Sequence, residues 1–392
     1  MTNILRMATG LLFLLAGSAN AASWQVEVVD GTGPGKYSSL KIDKDGNAHV
    51  AYVIEDGDKY PLKYGFWDHA LKRWFIMKVA EGASFCSLAL DSKQRPHISY
   101  ADFGTGSGTK LHYANWDGKT WKQQAIPLNS DVIGYYTSLV LDAHDQPRIS
   151  FYEYRGPVGT EVRIRMREVM WNGTFWQVRT VDEQEGSGKF NAMAIDAQGH
   201  VHLAYANVSA TTAGMRYAYW DGTAWKAEII DGQEQNNGES VGYSANIALD
   251  KDGDPHLTYM NESRPMVKYA VRKAGKWQIQ VLDRISAVGY PDRNSIALDE
   301  NGTPYIGYYD AGRGELVVAH REGDKWWAEI VDGNASGFTS SLQIDHGSIW
   351  VTYADESNKT LKVARREIEA HVTAVGLTFP GSSQGKGEGG DK

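Results

Sequence analysis

The chain has a single cysteine, Cys86, in 392 residues, so no intrachain disulfide can form and stability must come from burial. No run of five or more Lys/Arg occurs, and the formal charge of −8 disfavours a phosphate backbone, so nucleic acid is excluded as an expected partner. Past the N-terminus no segment approaches the roughly 18 apolar residues that a membrane span needs. No catalytic or metal-ligating motif stands out. Asp250 to Asp254 superficially resembles a calcium loop but lacks the alternating ligands and terminal Glu of an EF-hand, so neither a metal nor a cofactor is expected.

The two ends differ in composition from the middle. Residues 1–21 carry one cation, Arg6, an apolar run from Ala8 to Ala16 and small residues at Ala19 and Ala21. This is the pattern of a cleavable signal peptide, and no Cys follows it to accept a lipid. Its removal takes the charge from −8 to −9 and implies a secreted or periplasmic protein. Residues 370–392 are Gly-rich and have too little apolar area to offset the entropy of ordering, so a disordered tail is expected.

Between them, over residues 22–369, one phrase returns seven times: an apolar strand ending in Asp, a tight turn, and a second strand ending in an aromatic residue. The Asp stands at positions 43, 91, 142, 196, 250, 299 and 345, at intervals of 46 to 54 residues. A period of about 40 to 50 residues with four short strands per unit predicts an all-β, seven-bladed β-propeller with four-stranded antiparallel blades. In the second unit, strand A is Ser87-Leu88-Ala89-Leu90, with large residues on one face and small ones on the other. Strand B follows as His97-Ile98-Ser99-Tyr100 and strand C as Leu111-His112-Tyr113-Ala114, and strand D opens at Trp121.

The strand D Trp residues, read as 74, 121, 176, 225, 277 and 327, number one fewer than the units. Trp24 to Asp30 matches Trp176 to Asp182, so the N-terminal segment is expected to be the outer strand of the last blade. Closure of this kind leaves no free sheet edge, and a monomer is expected.

The repeated phrase, running from Ser87 through Asp91, Pro96 to Tyr100 and Leu111 to Trp121, resembles secreted bacterial and archaeal β-propeller repeat proteins. More distantly it is similar to sialidase-like and fucose-lectin-like propellers. Sialidases have six blades and Ser-x-Asp-x-Gly-x-x-Trp boxes, whereas this chain has seven units and Asp-x-x-Gly turns. The resemblance implies a scaffold that recognises glycans or proteins; a propeller-type glycoside hydrolase or polysaccharide lyase is the alternative.

Loop lengths distinguish the two faces. The A-to-B offset is six in six units and five in the last, and the C-to-D offset is ten in four units, twelve in the first and eleven in the sixth. The B-to-C offset varies from 11 to 18 and the D-to-A offset from 17 to 25. Variable loops on a rigid frame are where ligands are usually met. That reasoning selects Asp102, Glu153, Tyr154, Arg155, Asn207, Tyr243 and Asn261 as candidate ligand-binding residues. Carboxylates and amides suit sugar hydroxyls, and aromatic rings suit pyranose faces. An enzyme would instead draw on Arg155, Arg264, Arg293 and Arg313, with Glu153 or Glu239 beside Tyr135 or Tyr290.

Each candidate also has a structural reading. Asp102/His112, Glu153/Arg167 and Asp355/Lys362 fit cross-strand pairs. The rim aromatics Tyr37, Phe85, Tyr136, Phe190, Tyr243, Tyr290 and Phe338 fit inter-blade packing, and His49, His97, His202 and His256 fit hydrogen bonds to the turn Asp. Cys86 takes a slot filled elsewhere by Ser38, Thr137 and Asn191, which suits a small buried thiol.

Overall fold

The repeat folds as its period demands. The computed structural model describes residues 23–368 except 58, 103–109, 129–132, 156–162, 210–212, 233–240, 288–293 and 334–339; the expected signal peptide and tail lie outside the described residues. It contains 28 strands in seven antiparallel sheets of four, and no helix among the described residues. Among the described residues no helix is long and apolar enough to cross a membrane.

The ring closes through the N-terminal strand. Gln25–Asp30 pairs antiparallel with Thr360–Glu367, Gln25 opposite Arg365, as the outer strand of the blade whose inner strands are Ser340–Asp345 and Ser348–Asp355. Blades 1 to 6 are continuous in sequence, from Lys36–Ala80 to Ser295–Asp332. In blade 6 the Trp of strand D is Trp326, not Trp327. Trp326 pairs with Arg321, is buried, and meets Tyr269 edge to face at 5.1 Å, as Trp121 meets Tyr64 and Trp176 meets Tyr113. Two adjacent Trp residues are indistinguishable by composition; strand alternation sends only one of them inward.

Three repeated polar devices hold the ring. In the first, the Asp closing strand A accepts the turn amides two and four residues on: Asp43 Oδ1 accepts Asp45 N at 2.9 Å and Asn47 N at 2.8 Å, and Asp91, Asp142, Asp196, Asp250 and Asp299 do the same. A short side chain ending in an acceptor oxygen is needed to reach both amides, which suits Asp here. Blade 7 replaces this turn with a tighter one that pairs Asp345 with Ser348.

In the second device, strand A is tied to strand A of the next blade. The hydroxyls of Ser39, Ser87, Ser138 and Ser341 each accept a backbone amide, from Leu88, Leu139, Met193 and Leu40, all at 3.0 Å. This is why one face of strand A must be small.

The third is an inter-blade latch. Six residues after the strand D Trp, Asp30, Asp182, Asp231, Asp283 and Asp332 accept a hydrogen bond from the strand B Tyr of the following blade. Tyr52, Tyr205, Tyr259, Tyr308 and Tyr353 donate at 2.7–2.8 Å. In four of these junctions a strand C cation joins: Lys63, Arg216, Lys268 and Lys362.

The recurrent His has two neighbours. His49, His202 and His256 meet a strand C Tyr hydroxyl at 2.6–2.7 Å through Nδ1, and His97 meets that of Tyr113. The turn Asp lies further off, at 3.2–3.5 Å. In blade 3 the same two positions are Arg148 and Glu168, a buried ion pair at 2.6 Å.

Two predictions follow from these contacts. Burial depresses the affinity of Asp30 for negative charge, but bonds from Lys63 and Tyr52 outweigh it and hold its pKa below the ordinary value. Asp30→Ala leaves Tyr52 without its acceptor and Lys63 with Thr32 alone, and should lower stability by about 2–3 kcal/mol in urea titration. A chain lacking residues 24–30 should lose cooperative melting; parent-like melting of either would show that the N-terminal strand does not close the ring.

Burial lowers the pKa of His97, His202 and His256 below 6.5. As the pH falls through about 6.5, the unfolded chain takes up protons at these sites before the folded chain does, so stability declines toward acid. Melting temperature against pH should flatten in this window on His97→Gln, and a slope unchanged from the parent would contradict it.

Candidate functional site

The latch is missing at two of the seven junctions, and both flank blade 2. Between blades 1 and 2 the Asp position is Ala80, while Tyr100 remains. Between blades 2 and 3 it is Pro127, and the strand B Tyr has become Phe151, which has no hydroxyl to satisfy. The second junction is thus apolar on both sides. The first retains a buried hydroxyl without its usual carboxylate.

At that first junction there is a cavity of about 250 Å³, lined by Ala80, Glu81, Tyr100, Asp102, His112, Gln123, Gln124 and Ala125. Tyr100 donates to Gln123 Oε1 at 3.1 Å, and Gln123 Nε2 donates to Val79 O of the preceding blade. His112, the strand C cation of this blade, pairs with Asp102 of its own blade at 2.9 Å, and its ring stacks on Tyr100 at 5.0 Å. Burial, then the nearby Asp102 charge, pushes the Tyr100 hydroxyl well above its ordinary pKa, so it is a donor and not a base. Glu81 is held below the usual carboxylate range by its hydrogen bond to Lys78 and stays ionised.

At the second junction Arg167, also deprived of a latch Asp, turns to Glu153 at 3.3 Å, and its Nε is buried without an acceptor. Both cross-strand pairs read from the sequence are therefore present, as is Asp355 with Lys362 at 2.6 Å. Tyr154 is half-buried beside Tyr136 and Tyr152 in an aromatic cluster. Arg155 ends the strand Pro147–Arg155 opposite Arg163, and its side chain lies outside the described residues.

The other candidates do not join this sector. Asn207 is buried, donates to Glu185 O and Ser187 Oγ, and accepts from Ser209 N at 2.9 Å. Asn261 is buried and accepts from Arg264 N at 3.0 Å. Arg313 pairs with Asp310 at 3.0 Å within its own loop. Glu239, Tyr290, Arg293 and Phe338 lie outside the described residues.

The rim aromatics form an arc. Tyr37, Phe85, Tyr136, Phe190 and Tyr243 follow one another at ring separations of 4.5–4.8 Å. Tyr37, Phe85, Tyr136 and Phe190 have φ of 49–54°, at the irregularity where strand A slips register against strand B. In blade 5 Ser244 takes that backbone position, with Tyr243 one residue earlier. Left-handed φ in bulky residues is strained, and stacking between neighbours offsets it. Phe85, Tyr136 and Phe190 are buried, as the packing reading requires.

The missing latches had a visible signal: a Trp-to-Asp offset of six in five units, broken at Ala80 and Pro127. The orphaned Arg167 Nε had none, because only the folded junction shows that its partner is gone.

No family model matches the chain, and no curated protein matches its sequence. Solved structures do. The polysaccharide lyase Uly1 is similar at 12% identity over 91% of this chain and 94% of its own, with a TM-score of 0.54. AofleA from Arthrobotrys oligospora is similar at 14% identity over 81% and 91%, TM-score 0.52. A Trypanosoma rangeli sialidase matches at 10% identity over 85% of this chain and 60% of its own, TM-score 0.52. At such identities the likeness establishes the fold: the chain is a seven-bladed β-propeller whose structural neighbours include a sialidase and a polysaccharide lyase.

Restoring the missing carboxylate tests whether the cavity is a consequence of its loss. Ala80→Asp should give Tyr100 and His112 the partner that Tyr52 and Lys63 have in Asp30, raising the melting temperature. A fall in melting temperature would mean that this junction is built differently from the other five.

Proposed function

We propose that this propeller is a non-catalytic glycan-binding protein that meets its ligand on the variable-loop face at the two junctions flanking blade 2. The observation that carries the reading is the cavity left where the latch Asp is replaced by Ala80, with Asp102, His112, Gln123 and the Tyr100 ring around it. Adjacent acceptors and donors beside an aromatic face are what a sugar with vicinal hydroxyls requires. Asp102, Glu153, Tyr154 and Arg155 belong to this sector, and Asn207, Tyr243 and Asn261 support the neighbouring loops.

Binding is favoured over glycosidase chemistry by the charge states. A carboxylate pair acting on a glycosidic bond needs one member held protonated, and Glu81 is held ionised by Lys78. The rival is lyase action with His112 as base, oriented by Asp102 at 2.9 Å. A partner protein of the same compartment is the third possibility, for which a flat polar surface would be expected in place of a cavity.

A glycan array on the chain from residue 22 onward identifies the ligand, and calorimetry then measures it. Asp102→Asn and Ala80→Asp should each weaken binding at least tenfold. Asn261→Ala should leave affinity unchanged while lowering stability by about 1–2 kcal/mol, the usual cost of losing a buried hydrogen bond. Affinity lost only in Asn261→Ala would place recognition elsewhere, and release of unsaturated sugar ends from the bound glycan would establish the lyase. We also read residues 1–21 as an export signal; mass spectrometry of the exported protein should find Ala22 as its first residue.

A further inference from the structure

The seven A strands enclose an axial cavity of about 170 Å³, and its lining is polar and one-sided in charge. Lys41 is the only charged residue among those lining it, and no Asp or Glu contributes. In the equivalent position the other blades carry Ala89, Val140, Ala194, Ala248, Ala297 and Gln343, so the repeat does not need a cation there. Lys41 is half-buried and lines the cavity. Among the described residues its ammonium has no hydrogen bond and no ion pair, and burial alone acts on its pKa, downward.

The hydroxyls around it are poised the same way. Ser39, Ser87, Ser138 and Ser341 all line the cavity, and each uses its oxygen to accept a backbone amide from the next blade. That leaves four O–H donors with no acceptor among the described residues. An enclosed ammonium without a partner is costly, and a cavity with donors and no counter-charge calls for an acceptor that the chain does not supply. Asn294 Oδ1, buried in the same lining without a donor, calls for water beside it.

We propose that the axial cavity is a binding site for a small inorganic anion of the halide class, held by Lys41 Nζ and the strand A serine hydroxyls together with water. The site is separate from the junctions flanking blade 2 and does not rest on the glycan reading. Its role is structural: the anion neutralises Lys41 and bridges hydroxyls of different blades, so it binds the closed ring and not the unfolded chain.

The test compares melting in sodium chloride and sodium gluconate at equal ionic strength. The parent should melt several degrees higher in chloride, with a shift that saturates, and Lys41→Met should melt identically in both salts. Bromide-soaked crystals of the parent should show an anomalous peak on the axis beside Lys41 Nζ that is missing in Lys41→Met. Should Lys41→Met fold poorly, Lys41→Gln gives the same comparison. An equal chloride shift in parent and variant, or an axis without bromide in the parent, would overturn the proposal; phosphate stabilising where chloride does not would overturn its assignment to the halide class.

Discussion

A propeller blade can satisfy its own backbone but cannot position its neighbour; that depends on the contact between the end of one outer strand and the hairpin of the next blade. Here the contact is a carboxylate, the Asp six residues after the strand D Trp, accepting a buried Tyr hydroxyl and usually a Lys or Arg. A buried hydroxyl or cation without an acceptor is costly, so where the Asp is lost the groups that faced it must change or find another partner. The two junctions flanking blade 2 show each response: Phe151 appears opposite Pro127, and Tyr100, facing Ala80, turns to Gln123.

The same constraint links the scaffold to the candidate site. At four of the latched junctions a strand C cation reaches the Asp of the preceding blade, Lys362 while also pairing with Asp355 of its own. Where the latch is absent, His112 and Arg167 pair with Asp102 and Glu153, acids of their own blade, and at the first of these junctions polar groups line a cavity between blades. The longest loops read from the sequence run from blade 2 to blade 5, so the unlatched sector lies at one end of the elaborated arc. A structural exception thus supplies chemistry that the regular repeat would have consumed.

Covariation between blades extends to the hairpin interior. The His and Tyr of strands B and C become Arg148 and Glu168 in blade 3, exchanging a neutral hydrogen bond for an ion pair, and Trp225 of the next blade donates to Glu168 as well. One geometry accepts either solution because in both the two side chains bond to each other.

Strand order, blade number, ring closure and the distinction between faces were legible in the chain itself, since each rests on local periodicity: alternation in the strands, an Asp at every turn, and one Trp too few after the first Asp. The choice between Trp326 and Trp327 was not, because it depends on which side of a strand meets the neighbouring sheet. Nor could composition separate Asn207 and Asn261, which cap their own loops, from Asp102, which lines a cavity; all stand at the end of strand B, and only the folded loop determines where each side chain finds its partner. Lys41 is the clearest case. In the sequence it is one lysine among many, and only closing seven strands about an axis makes it the one charged residue among those described that line the cavity.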